Sequence, residues 1–505
     1  MVGVPGRSKG CHTCRRRKKG CDFGRPTCAR CRHAGIDCGG YEPKRIFVHT
    51  DPASKMSKGK VLPNSPAAAV TGDGDSPVSP APHPEVALSA SLTRSADRIG
   101  SIATLWELQY LKEHAGELAK IVGINQFQDK PIFQQSPSLQ QSLLAVCLAS
   151  IGRQNRIEWI TQRGRQLYGA SIKTLSAALS RLPPSTPPSD AMLVTTRLLA
   201  FHELISGETI KGHHEVPAVH AWPTHRMGEV ALLAARSPDT FVEGPSHDIF
   251  SDARFMCTVA ATVTRQGTIL SDPDWKTIPW SKRAKTARDL LIDIFVDLPL
   301  LLQQLDTILD CNDISLGKLL TERCLEHATA CERSLAEWFE TSAPDGWGIT
   351  GCPNLDYNNP TRSDIRNAHL MCVFWTTYAQ VLTVIRSLSS SPADDPYIPL
   401  ILVCCQSIAR MVPVFFVGEP EAGGYETIVS FPMFYALEGL ILTEVHQTEV
   451  SADRLRLLDL FRKPAKGGGS LAQFVAALLG HSKVLQQTEA AKAVSAVARE
   501  EPLLP

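Results

Sequence analysis

Apolar positions in this chain recur at steps of three and four far more often than at steps of two. The clearest run is LGKLLTERCLEHATACERSLAEWFE, where Leu316, Leu319, Leu320, Cys324, Cys331, Leu335 and Trp338 share one helical face. Similar patterns cover 106–122, 159–182, 191–205, 284–305, 369–388, 425–445 and 471–485. Strand-like alternation between turn residues is scarce. PPSTPPSD, GPSH, TSAPDGWG and KPAKGGGS hold the prolines and glycines that interrupt helices, and they read as interhelical loops. From about Ile99 the pattern predicts a large all-α body, big enough for two packed sub-bundles.

Ahead of that body the chain changes character. Residues 50–97, with LPNSPAAAVTGDGDSPVSPAPHPE at their centre, bury too little apolar area to offset the entropy of ordering, and predict a disordered linker. Over all 505 residues, 43% are hydrophobic and 20% charged, which excludes a collagen-like or wholly disordered chain. The most apolar stretch, 396–418, carries Gln406 and Arg410 in its middle and prolines at both ends, so it reads as a buried helix and no membrane partner is expected. The start, MVGVPGRSKG, lacks the apolar core of a signal peptide, and the reading is a soluble intracellular protein with reduced thiols.

Net charge is +1, but it is unevenly spread. The first 60 residues carry 15 Lys+Arg against 4 Asp+Glu, leaving 37 against 47 for the rest. A basic head on an acidic body points to a polyanionic partner. The same head holds six of the fifteen cysteines, spaced Cys11-x2-Cys14-x6-Cys21-x6-Cys28-x2-Cys31-x6-Cys38, so that one half-motif is used twice. Zinc takes four thiolates. Six thiolates fill the eight ligand positions of two zinc ions only if two sulfurs bridge, and such a cluster supplies most of the folding free energy of so short a segment. Between the second and third cysteines lie Arg15, Arg16, Arg17, Lys18 and Lys19, whose donors suit the O6 and N7 acceptors of guanine in a major groove.

The segment CHTCRRRKKGCDFGRPTCARCRHAGIDC resembles the fungal Zn2Cys6 binuclear-cluster transcription factors, in its cysteine spacing, its basic run, Asp22 after the third cysteine and Pro26 before the fourth. The resemblance implies a nuclear transcription regulator holding two zinc ions, with Cys11 and Cys28 as the bridging ligands. It also implies two short helices about a pseudo-two-fold, the first set in the major groove of double-stranded DNA, usually at CGG triplets. Position in the motif assigns base contact to Lys18 first and Arg17 second, with Arg15 and Lys19 on phosphate and Arg16 within the same surface. Gly20 stands where many members have a Lys or Arg. No heptad seam follows Cys38, so the protein binds as a monomer or forms a homodimer through its helical domain.

Within the body, LLAFHELISG (198–207), AWPTHRMGEVALLAARSP (221–238), FSDARFMC (250–257) and LSDPDWKTIPW (270–280) are similar to the fungal-specific regulatory domain found behind such clusters. The resemblance implies an all-α regulatory domain, at times answering to a small-molecule effector and passing the signal to the transcription machinery. Regulators of this layout often serve secondary-metabolite gene clusters or drug resistance. The predicted organisation is therefore a Zn2Cys6 domain at 1–49, a Pro/Ser/Ala-rich linker at 50–97 and the all-α domain at 98–505.

No catalytic motif is found: there is no G-x-S-x-G, no Walker lysine motif and no H-E-x-x-H. His213, His214, His220 and His225 cluster, but Pro217 and Pro223 interrupt the helix that would align them. Cys324, His327 and Cys331 share a helix face without a visible fourth ligand, and read as core. Cys404–Cys405 reads as a buried pair. The last residues, TEAAKAVSAVAREEPLLP, read as a fraying helix. Two other functions stay open: an adaptor that binds nucleic acid or protein without reading CGG, and an enzyme tethered by its zinc head, whose mark would be a polar pocket near 213–225 with perturbed carboxylates or histidines.

Overall fold

The computed structural model describes residues 12–22, 28–36, 38, 136–154, 157–183, 185–206, 221–389, 395–417, 425–444, 449–463, 471–479 and 483–499. They fall into two compact units, Met1–Pro82 and His83–Pro505. The predicted linker 50–97, the predicted helix 106–122, most of the KPAKGGGS segment, and His213, His214 and His220 lie outside the described residues.

The first unit contains two five-residue helices, α1 (His12–Arg16) and α2 (Ala29–His33). The described residues of the second are mainly helical. Its helices are α3 (Pro137–Gln154), α4 (Glu158–Ser180), α5 (Asp190–Ser206), α6 (Trp222–Ala234), α7 (Gly244–Thr264), α8 (Pro273–Thr277), α9 (Ala287–Phe295), α10 (Leu298–Leu309), α11 (Ile314–Ser342), α12 (Arg362–Leu388), α13 (Tyr397–Met411), α14 (Tyr425–Thr443), α15 (Ala452–Arg462), α16 (Leu471–Leu479), α17 (Lys483–Gln486) and α18 (Glu489–Ala498). Among the described residues the β structure is one isolated bridge, Gly348 to Gly351.

Three differences from the sequence pattern have local causes. The periodic run 284–305 is two helices, because the chain turns at Val296–Asp297 and Pro299 starts the second as a first-turn residue that needs no N–H partner. A Thr286/Asp289 capping box starts the first of them. GPSH is the first turn of α7: Gly244 sits at φ +69° and Pro245 follows it inside the helix. On α11 the buried face begins at Cys324. Leu316 and Leu319 are 48% and 45% exposed, so the first turns of α11 bury little of their apolar face.

One continuous core runs from Leu139 to Val497, and Trp222, Trp375, Phe241, Phe250, Phe295, Phe374 and Phe461 are its largest fully buried apolar side chains. A small satellite core, Leu144, Ala145, Leu148, Ile160 and Leu167, joins α3 to α4. Two stretches, Arg362–Leu388 and Tyr397–Phe416, are long and apolar enough to cross a bilayer, yet their most apolar windows are 78% and 56% buried within the fold.

Charge is buried as well. Glu229 on α6, fully buried, receives Arg197 of α5 at 2.9 Å and Arg226 at 2.8 Å, while Arg197 also donates to the Ile249 carbonyl of α7 at 2.5 Å. Burial alone would raise the pKa of Glu229. The two guanidiniums outweigh it and hold the carboxyl below its usual range. Arg254, also fully buried, pairs with Asp293 and lies over the Trp280 ring, 4.4 Å from its centroid.

Gly164 of α4 lies against the backbone of α3. A Cβ there would stand 3.0 Å from the Ala149 nitrogen and 3.1 Å from the Ala145 oxygen, and backbone cannot swing aside as a side chain does. Gly164→Ala is expected to destabilise the body by about 1–3 kcal/mol. Gly169→Ala, on the same helix with nothing within 4 Å, should be neutral or stabilising by up to about 1 kcal/mol. Urea midpoints of the two variants check the contrast.

Candidate metal centre and nucleic-acid interface

Among its described residues, the first unit buries mainly sulfur. Its apolar cluster consists of Cys14, Cys28 and Cys31, with Cys21, Ile36 and Cys38 against it. Cys14 Sγ lies 3.7 Å from Cys28 Sγ and 4.0 Å from Cys31 Sγ. Two sulfurs on one tetrahedral zinc, each bonded at about 2.3 Å, stand about 3.8 Å apart. The spacing fits that ion.

Cys28 belongs to two groups of converging donors, one with Cys14 and Cys31 and the other with Cys21 and Asp22. A sulfur common to both is where a bridging ligand belongs. Cys11, the other bridge implied by the resemblance, lies outside the described residues. The carboxylate of Asp22 is already engaged: Oδ2 accepts from the Ala29 N–H at 2.9 Å and Oδ1 from the Arg30 N–H at 3.2 Å. Asp22 therefore caps α2 from the first half of the motif. The Cys28 sulfur accepts from the Cys31 N–H at 3.3 Å in the same turn.

Seventeen residues separate the equivalent cysteines of the two halves, and the backbone repeats at that offset. Arg17 N–H donates to the Thr13 carbonyl at 3.1 Å, and Ala34 N–H to the Arg30 carbonyl at 3.2 Å. Lys19 N–H donates to the Cys14 carbonyl at 3.0 Å, and Ile36 N–H to the Cys31 carbonyl at 3.2 Å. Both helices end in a left-handed residue, Lys18 at φ +53° and Gly35 at φ +61°. Glycine adopts that conformation freely; lysine does not. Arg16, Arg17, Lys18 and Lys19 are all exposed, while Cys14 beside them is buried.

A family model described as the fungal Zn(2)-Cys(6) binuclear cluster domain matches residues 9–45. The converging sulfurs define a zinc-cluster protein. More particularly, residues 9–45 belong to the fungal Zn(2)-Cys(6) binuclear cluster family, and the domain binds two zinc ions. Over 52 residues the chain is 48% identical to pestheic acid cluster transcriptional regulator 3 of Pestalotiopsis fici, a match that spans 10% of this chain and 9% of the relative. No solved structure matches the chain.

In the body, the polar cluster sought near the histidines is present on the described side. Tyr168 of α4 stacks on His202 with ring centroids 4.5 Å apart, and its hydroxyl is 2.8 Å from His225 Nε2. Burial pushes Glu203 up to about 7, against hydrogen bonds from Tyr168 and the Ala221 backbone, and pushes His225 down to about 4, helped by Arg226. Sequence inspection flagged His225 of α6 and missed Tyr168 of α4 and His202 and Glu203 of α5, so the cluster is assembled from three helices. The vicinal pair is inert by the same physics: burial raises Cys404 to about 12 and Cys405 well above its usual value, and neither is a redox candidate.

Asp22→Ala is expected to keep both zinc ions but to cost about 0.5–2 kcal/mol of cap energy, seen as earlier zinc loss in a chelator titration. For Glu203 the folded pKa lies above the unfolded one, so its contribution to stability is complete below about pH 4.5 and is lost as pH rises to about 7. His225, shifted down, acts oppositely between about pH 4 and 6.5. Glu203→Gln should therefore make the slope of stability against pH more positive between pH 5 and 7, measured by urea midpoints; an unchanged slope counts against the shift.

Proposed function

We propose that this chain is a zinc-dependent, sequence-specific DNA-binding regulator of RNA polymerase II transcription, acting in the nucleus. Its zinc head (1–49) would be joined by a linker (50–97) to a helical regulatory domain (98–505). The observation that carries the reading is the basic run itself: Arg16, Arg17, Lys18 and Lys19 project outward from a turn whose neighbours are the sulfurs that meet at the metal.

Zinc would be held by Cys11, Cys14, Cys21, Cys28, Cys31 and Cys38, with Cys11 and Cys28 bridging. Lys18 reads a guanine of a CGG half-site, supported by Arg17. Arg15, Arg16 and Lys19 neutralise phosphates and set the register. The body transmits a signal to the transcription machinery, in answer to a small-molecule effector, and gives the homodimer its contact. No catalytic role is assigned to it. A relative named as a cluster transcriptional regulator supports the secondary-metabolite gene-cluster reading over drug resistance.

The test is fluorescence anisotropy of the full chain, zinc-loaded, on a CGG duplex and a scrambled duplex at about 150 mM salt, where non-specific binding is about 10⁻⁴–10⁻⁶ M. Equal, salt-sensitive binding to both would favour the adaptor reading. Lys18→Gly keeps the left-handed backbone and removes only the side chain, so it should lose about 1–3 kcal/mol of discrimination at one base pair. Lys19→Ala should weaken binding to all sequences alike and lower the salt slope by about one. Equal effects on specificity would overturn this division of roles.

A further inference from the structure

On α11, His327 and Cys331 are four residues apart, so their side chains lie one above the other on the same face. Facing them is Asp297, in the turn between α9 and α10. The donor atoms of the three lie within 4.8 Å of one another. Cys331 Sγ is 3.9 Å from Asp297 Oδ2, and His327 Nε2 is 4.0 Å from the same oxygen. A fourth group is also present. Lys276 of α8 sets its ammonium on both oxygens of Asp297, at 2.6 and 2.7 Å.

We propose that Asp297, His327 and Cys331 form a zinc site in the body, separate from the cluster in the head, which the ion enters by replacing the Lys276 ammonium on Asp297.

One carboxylate, one imidazole and one thiolate are the donor types zinc accepts, and sulfur disfavours calcium or magnesium. On a tetrahedral zinc the sulfur–oxygen and nitrogen–oxygen separations are about 3.5 and 3.3 Å. The two separations to Asp297 are thus within about 0.7 Å of a closed site, a distance that side-chain rotation can cover. Cys324, on the same face, directs its sulfur to the Leu301 carbonyl at 4.0 Å, and the proposal leaves the fourth position to a water molecule.

Access and charge balance both permit the exchange. The His327 and Lys276 side chains are 30% and 20% exposed, so the ion has a way in and the ammonium a way out. Before exchange, Lys276 neutralises Asp297. Afterwards Zn²⁺ is neutralised by Asp297 and the Cys331 thiolate, one proton leaves the thiol for solvent, and the Lys276 ammonium turns outward still charged. The ion would then tie the α9–α10 turn to α11, as Lys276 ties it to α8 in the metal-free arrangement.

The experiment is a zinc titration of the full chain against a competing chelator, counting tightly held ions per chain. Three are expected for the unaltered protein, and two for His327→Ala, whose side chain is partly exposed and outside the apolar core. Lys276→Met removes the competing cation and should tighten the third ion by about tenfold or more, the scale on which groups around a metal site act. Circular dichroism confirms that each variant is folded. Saturation at two ions in the unaltered chain would overturn the site. So would a third ion retained in a His327→Ala/Cys331→Ser variant, or a Lys276→Met chain that binds it no more tightly.

Discussion

In the N-terminal unit, the metal–sulfur bond stands where a hydrophobic core stands elsewhere. Among the described residues, Ile36 is the one non-cysteine member of the cluster that would have to hold this segment together. Two five-residue helices have no stability of their own in water. The zinc ions therefore decide whether α1, α2 and the turn after α1 exist, and the position of every basic side chain in that turn follows from them. Asp22 adds a second tie between the halves, from the third cysteine's neighbour to the first turn of α2.

The body solves the opposite problem, having apolar surface in plenty and many helices to set in one order. Non-directional burial along α5, α6 and α7 would tolerate sliding. The Arg197–Glu229–Arg226 group does not, because a misplaced helix would leave a buried charge without its partner. The guanidinium of Arg254, between Asp293 and the Trp280 ring, does the same for α7 and α9. These groups make the arrangement particular more than they make it stable.

What could be read from the sequence was what is local or periodic. The cysteine spacing is covalent arithmetic and needs no tertiary information, and helices such as α4, α5, α11, α12 and α14 announce themselves by long repeats. The break at Val296–Asp297 was hidden because both sides keep a compatible apolar phase. Leu316 and Leu319 have the periodicity of buried residues but are about half exposed, because periodicity shows which face could be buried and not what packs on it. Asp297 meets His327 and Cys331 thirty or more residues away, and Tyr168, His202, Glu203 and His225 come from three helices. Such meetings are made by packing and leave no mark in spacing. Asp22 was visible as a motif residue, but its role as the α2 cap was not.

The near-repeat of the two halves has one more effect. At the seventeen-residue offset, Arg15, Arg16, Arg17, Lys18 and Lys19 correspond to Arg32, His33, Ala34, Gly35 and Ile36. The backbone is duplicated, and the chemistry is not. A scaffold with two equivalent faces would dock on a duplex in either orientation. On the proposed reading, one with a single cationic run would have a head and a tail, so the order of bases in its site would fix the direction in which the chain leaves the DNA, and an inverted copy of the same site would send the body the other way.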